Sequence, residues 1–262
     1  MTIPIYQADA FTDKLFGGNP AAVCPLNEWL SDELLQNIAI ENNLSETAYL
    51  VKDGNDYHIR WFTPGTEVDL CGHATLAAAH VLFTIPGHGA DTITFFSKSG
   101  PLKVTKCSNG KLMLDFPSNP PEQVSEVPAG ILEGLGVAAA VVFKTSFDYM
   151  VVLPSQKTIE GLTPDFKILA QVPCRGVIAT AIGDEADFVS RCFYPQSGID
   201  EDPVTGSAHT ITVPYWAKQL NKTTLKAIQL SQRRGYLDCE LAGNRVLMSG
   251  NAVTYLKGTI EV

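Results

Sequence analysis

One segment of the chain is apolar in a way that no surface element is. Residues 74–83, Ala-Thr-Leu-Ala-Ala-Ala-His-Val-Leu-Phe, carry apolar side chains on nearly every side of a helical wheel. A helix built from them must be buried all round, and a sheet wrapped about a central helix supplies that burial. Two shorter helices are predicted at Asp32 to Glu41 and Pro164 to Gln171. Each is followed by a predicted strand, Thr47 to Val51 and Gly176 to Ile182, and residues 1–10 read as a first strand. Residues 207–213 conflict with themselves. Thr210, Ile211, Thr212 and Val213 form a β-branched run that favours strand, and Pro214 opposes an uninterrupted helix.

An internal repeat resolves that conflict. Arg60-Trp61-Phe62-Thr63-Pro64 leads through an acidic loop to Gly72-His73-Ala74, and Arg191-Cys192-Phe193-Tyr194-Pro195 leads through another to Gly206-Ser207-Ala208. The first loop holds Glu67 and Asp69, the second Asp200, Glu201 and Asp202. Gly100 follows Gly72 by 28 residues and Gly235 follows Gly206 by 29. Upstream, Ala22 to Leu26 matches Val151 to Pro154. An offset held near about 130 residues along the chain marks a duplicated unit. By that repeat, residues 207–213 are helical. The halves meet near Pro117-Ser118-Asn119-Pro120-Pro121, which can continue neither strand nor helix. The expected domains are 1–117 and 118–262, with the last strand, about 254–262, returning to the first.

The repeat sets two glycine-led helix starts in register. A helix start offers unpaired N–H groups and partial positive charge, and glycine lets a ligand approach the backbone. Facing each other across a cleft between the halves, the pair would hold a carboxylate or an enolate-like charge. His73 lies at the first start as a proton carrier, and Ser207 at the second, where capping is its ordinary role. Asp202 before Pro203 also reads as a helix cap. Glu46, at the entry to an apolar strand, breaks the repeat, because Arg175 or Gly176 stands in the corresponding place. Asn19, in Gly-Gly-Asn-Pro, reads as a turn that can line a pocket.

Composition narrows the partners. The chain is 45% apolar and 18% charged, as for a soluble globular protein with a sizeable core. Its formal charge of −9 and lack of a basic patch disfavour nucleic acid and anionic membranes. Residues 1–10 lack the pattern of a secretory leader, and no apolar run is long enough to span a bilayer. A cytoplasmic protein is expected. The six cysteines lie far apart without ligand spacing, which fits reduced thiols and neither a disulfide framework nor structural zinc.

Six motifs occur in order: Asp9-Ala10-Phe11-Thr12; Phe16-Gly17-Gly18-Asn19-Pro20-Ala21-Ala22-Val23; Asn43-Leu44-Ser45-Glu46-Thr47-Ala48; Arg60-Trp61-Phe62-Thr63-Pro64; Asp69-Leu70-Cys71-Gly72-His73-Ala74-Thr75; and Asp202-Pro203-Val204-Thr205-Gly206-Ser207-Ala208. Together they resemble the phenazine-biosynthesis (PhzF-like) isomerase family. The resemblance implies an α+β, diaminopimelate-epimerase-like fold of two pseudo-twofold halves, each a mixed sheet curled into a barrel around a central helix. It implies Glu46 as general acid/base with His73, Asp202 and Ser207 as its partners. Gly72, Gly206, Asn19, Cys71 and Thr205 are the expected substrate-binding positions. It also implies a homodimer acting on a small carboxylate-bearing molecule, with no metal and no cofactor. Two-cysteine racemases of the wider fold group differ: Cys71 matches their first cysteine, but Thr205 stands at the second, and a threonine hydroxyl is too weak an acid for that exchange. The alternatives are an α-carbon epimerase or dehydratase that depends on Cys71, and an idle binding protein on the same scaffold.

Overall fold

The computed structural model describes residues 1–84 and 89–262, and the chain divides into two compact units. The first comprises residues 1–116 and 248–262, the second residues 117–247. In the first, β1 (Thr2–Ala10) runs antiparallel to β2 (Asn19–Leu26). Asn19 opens this strand rather than sitting in the turn, which ends at Gly18 with φ +58°. A side chain at residue 18 would strike the Ala10 carbonyl, so only glycine fits there.

Helix α1 (Asp32–Asn42) is capped by Ser31, whose hydroxyl accepts from the Leu34 N–H. It carries the chain to β3 (Glu46–Asp53), parallel to β2, and then to β4 (Asp56–Phe62), antiparallel to β3. After β5 (Glu67–Val68) comes α2 (Gly72–Thr84), buried from His73 to Ala79 and again at Val81 and Leu82. It packs against β1, β2 and β3, the burial on all sides that its composition demands. Strands β6 (Thr92–Ser97), β7 (Gly100–Lys106) and β8 (Leu112–Pro117) complete this stretch.

The second unit repeats the plan. After β9 (Glu122–Gln123) and α3 (Ile131–Leu135), the antiparallel pair β10 (Val141–Lys144) and β11 (Asp148–Val152) leads to α4 (Gln156–Glu160) and α5 (Phe166–Leu169). Strand β12 (Gly176–Ile182) is parallel to β11, and β13 (Phe188–Tyr194) is antiparallel to β12. Then follow β14 (Ile199–Asp202) and α6 (Gly206–Leu220). The β-branched run and Pro214 both lie inside that helix, so burial overrides local propensity. Strands β15 (Thr224–Gln229), β16 (Gly235–Ala242) and β17 (Arg245–Gly250) follow. The last strand, β18 (Ala252–Glu261), pairs antiparallel with β1 along its length. The fold is α+β, two helix-centred sheet units. Among the described residues no helix is long and apolar enough to cross a membrane.

Candidate functional site

The first unit gathers four of the sequence-predicted residues around the start of α2. Glu46 is the first residue of β3, and His73 is the second of α2. The His73 Nε2 lies 2.9 Å from the Glu46 Oε2. The other ring nitrogen, Nδ1, faces the Asn19 amide nitrogen at 3.1 Å and the Cys71 Sγ at 3.6 Å. Glu46, His73, Asn19 and Cys71 are all buried.

Hydrogen-bonding chemistry orients the imidazole. An amide NH2 and a thiol both offer hydrogens to Nδ1, so in the neutral ring the proton sits on Nε2. The approach of Nε2 to the Glu46 Oε2 is a close ion-pair contact rather than an aligned hydrogen bond. Burial alone would discourage charge on His73, but neighbouring Cys71 and Glu46 outweigh it and raise the imidazole well above its ordinary 6.5. Glu46 is the partner that counts near neutrality, because burial pushes the Cys71 thiol up to about 11. Cys71 is therefore a protonated, weakly nucleophilic group.

Donor atoms of Glu46, Cys71 and His73 lie within 4.8 Å of one another, the one group of this kind among the described residues.

The second unit builds its helix start differently. Thr205 is the N-cap of α6, and Asp202 is neither the cap nor followed by a helical Pro203. Instead the Thr205 hydroxyl donates to the Asp202 carboxylate. Gln229, at the end of β15, fixes this turn: its carbonyl accepts from the Thr205 N–H at 2.8 Å and its NH2 donates to the Asp202 carbonyl at 2.7 Å. Ser207 is not a cap either. It is the second residue of the helix, and its hydroxyl accepts from the Arg175 guanidinium at 3.1 Å. Arg175 in turn is held by the buried Asp148. Sequence reading passed over Gln229 and Asp148, and named Arg175 only as a possible counterpart of Glu46 in the repeat. The clue was there: the repeat puts Arg175-Gly176 where the first half has Ser45-Glu46.

Glu67 and Glu201 of the two acidic loops are taken up by arginines. Arg60 Nε and Nη2 meet the two Glu67 oxygens at 2.7 and 2.8 Å, and Arg191 meets Glu201 with the same pair of distances. Such forked pairs fix the hairpin ahead of each helix start.

The structure thus has two helix-centred α+β units with a buried carboxylate–imidazole pair at one helix start. The sequence profile described as phenazine biosynthesis-like protein matches residues 8–258. An uncharacterised isomerase of Pseudomonas aeruginosa is 52% identical over 262 residues, with all of both chains covered. A crystal structure of a PhzF-family phenazine biosynthesis protein from Enterococcus faecalis superposes with a TM-score of 0.96 at 48% identity, covering all of both chains. A hydroxyproline epimerase from Agrobacterium vitis shares the fold alone, with a TM-score of 0.64 at 10% identity over 99% of this chain and 92% of its own. The chain belongs to the phenazine biosynthesis-like (PhzF) family and is an isomerase-type enzyme.

Proposed function

We propose that this protein is a cofactor-independent isomerase that moves a proton between two carbons of a small, carboxylate-bearing, unsaturated substrate. The observation that carries this reading is the buried Glu46–His73 contact of 2.9 Å. Glu46 takes the acidic C–H proton, the electron pair of that bond spreads into the conjugated system, and the Glu46 carboxyl, whose O–H exchanges with solvent, delivers a proton to a second carbon. His73, whose Nε2 lies 2.9 Å from the carboxylate, is the positive partner beside it. No redox partner enters, since the carbonyl or diene beside the reacting carbon already acidifies it. Asp202, Ser207, Thr205, Gly72 and Gly206 enter as orienting groups on the strength of their motifs. The proton chemistry rests on the first unit alone.

Cyclohexa-2,5-diene-1-carboxylate is a suitable probe, because shifting its C1 proton produces a conjugated diene that absorbs in the ultraviolet. In heavy water the native protein should form that diene and place deuterium on the ring. Glu46→Gln should slow both by roughly two to four powers of ten. Equal rates in native protein and variant would remove Glu46 as the base. A thiol-dependent epimerisation is not supported: Cys71 is held as a thiol, and the Thr205 hydroxyl is committed to Asp202.

A further inference from the structure

Arg175 is anchored on more sides than an ordinary surface arginine. Its Nε donates to the Asp148 Oδ1 at 2.9 Å, and its Nη2 to the other Asp148 oxygen. The Asp148 side chain is almost wholly buried. The Arg175 guanidinium carbon lies 5.6 Å from the centre of the Tyr194 ring, on its face. The second hydrogen of Nη2 goes to the Ser207 hydroxyl at 3.1 Å. Five N–H donors make up a guanidinium, and these contacts use three. Nη1 has no partner among the described residues, and 41% of the side chain remains open to solvent. Tyr194 is itself buried, and its hydroxyl has no partner among the described residues.

A surface arginine with an unused edge is unremarkable when it is mobile. This one is held by a buried carboxylate and an aromatic face, so its free edge has a fixed direction. That edge sits beside Ser207, in the first turn of a 15-residue helix whose leading N–H groups lack intrahelical acceptors. An Nη1–H on that edge and the hydrogen of the Ser207 hydroxyl, which itself accepts from Nη2, can each meet one oxygen of a carboxylate.

We infer that Arg175, with Ser207, forms an anion-recognition site that selects a carboxylate on the ligand. This deepens the isomerase reading, on which it rests, by naming what the second unit recognises. Asp148 and Tyr194 are positioning residues: they aim the guanidinium and touch no ligand. The buried Asp148 keeps the pair nearly neutral, so the site favours a singly charged carboxylate over a multiply charged anion such as phosphate.

The test uses benzoate, benzamide and inorganic phosphate as probes, with binding followed by NMR titration of the 15N-labelled protein. Native protein should bind benzoate at least tenfold more tightly than benzamide or phosphate. Arg175→Met should weaken benzoate by about ten- to a hundredfold while leaving benzamide unchanged. Arg175→Lys, which keeps the charge beside Asp148 but loses the fork, should fall between, and it covers the case in which the methionine variant fails to fold. A purely structural arginine would move benzoate and benzamide together. That result overturns the inference, as does equal benzoate affinity in all three proteins or no benzoate binding by native protein. Glu46-dependent deuterium uptake is read separately. If it survives while benzoate selection fails, the anion site is lost and the isomerase stands; if it fails while selection holds, the reverse follows.

Discussion

The two units share a scaffold and differ in the side chains set around the helix start. Both place a parallel strand pair beside an antiparallel hairpin, clamp it with an arginine–glutamate fork, and start a long buried helix at a glycine. Register identifies corresponding positions. Thr47 pairs with Phe62 and Val177 with Phe193, so Glu46 and Gly176 occupy the same place one residue earlier. By the same alignment His73 answers to Ser207, Cys71 to Thr205, and Thr75 to His209. The first unit carries the set Glu46, His73 and Cys71. In the second, its counterpart has become glycine, serine and threonine. The difference is steric as well as chemical: a Cβ on Gly176 would sit 2.1 Å from a Tyr194 ring carbon. The aromatic ring fills the space that a second base would need. Duplication therefore gave two similar frames: the first has the buried Glu46, and the second has Gly176 in its place with Arg175 beside it.

The sharpest way to break this comparison is to remove one candidate residue from each unit. Glu46→Gln should cost roughly two to four powers of ten in the rate of deuterium uptake by the dienoic probe, whereas Ser207→Ala should cost about tenfold or less. Equal losses would mean that the units contribute alike.

Next in size is a test of the blocked position. Gly176→Ala should lower unfolding free energy by about 1–3 kcal/mol, because the Tyr194 ring and the neighbouring Phe193 carbonyl must both give way. Urea denaturation followed by tryptophan fluorescence measures it. A neutral substitution would show that residue 176 is glycine for some other reason.

The two helix starts should also differ in their response to acid. Thr75 and His209 each bond to the carbonyl four residues back, Thr75 to Cys71 and His209 to Thr205 at 2.8 Å. Burial drives the His209 imidazole down to about 4, against a smaller opposing pull from the Thr205 carbonyl. The unfolded chain then takes up a proton near 6.5 that the folded chain refuses until about 4. Stability must fall as pH drops through that window, by at most about 3 kcal/mol. His73 moves oppositely, since a raised imidazole stabilises below 6.5 and loses that contribution as pH rises through its folded value. Urea unfolding at pH 7 and pH 4.5 should show a drop in native protein that His209→Gln lessens. The same drop in both proteins would place the acid sensitivity elsewhere.

A smaller effect tests how the imidazole is held. Asn19→Leu removes the amide facing Nδ1 while roughly keeping volume, and should reduce deuterium uptake by about tenfold through disorder of the ring. Unchanged uptake with an unchanged pH profile would show that the thiol and carboxylate suffice to orient it.

Much of this arrangement was legible in the chain, for identifiable reasons. Helix α2 could be read from composition because burial on all sides leaves no polar stripe to obscure the pattern. Helix α6 could not be read from propensity; the repeat supplied it, carrying information from a clear segment to an ambiguous one. Glu46 stood out by breaking the repeat. Caps were read less well, because Asp202 and Ser207 have the chemistry of capping residues while their partners, Thr205 and Arg175, come from the next turn and from another strand's entry. Arg175 was hidden for the same reason: its value depends on Asp148, 27 residues away, and no local pattern encodes that pairing.

Cys71 and Thr205 give the smallest expected effect and the closest discrimination. In a two-thiol exchange both positions would carry a proton, and losing either sulfur would abolish turnover. Here the thiol is buried, raised to about 11, and turned toward His73, while its counterpart is a threonine bonded to Asp202. Cys71→Ala removes one of two groups facing Nδ1 and leaves the amide in place. Deuterium uptake should therefore change by less than about threefold, and the midpoint of urea unfolding should shift only modestly. Loss of uptake on the scale of Glu46→Gln would give the thiol a direct part in proton transfer, and the division of labour between the units would then be drawn at the wrong residue.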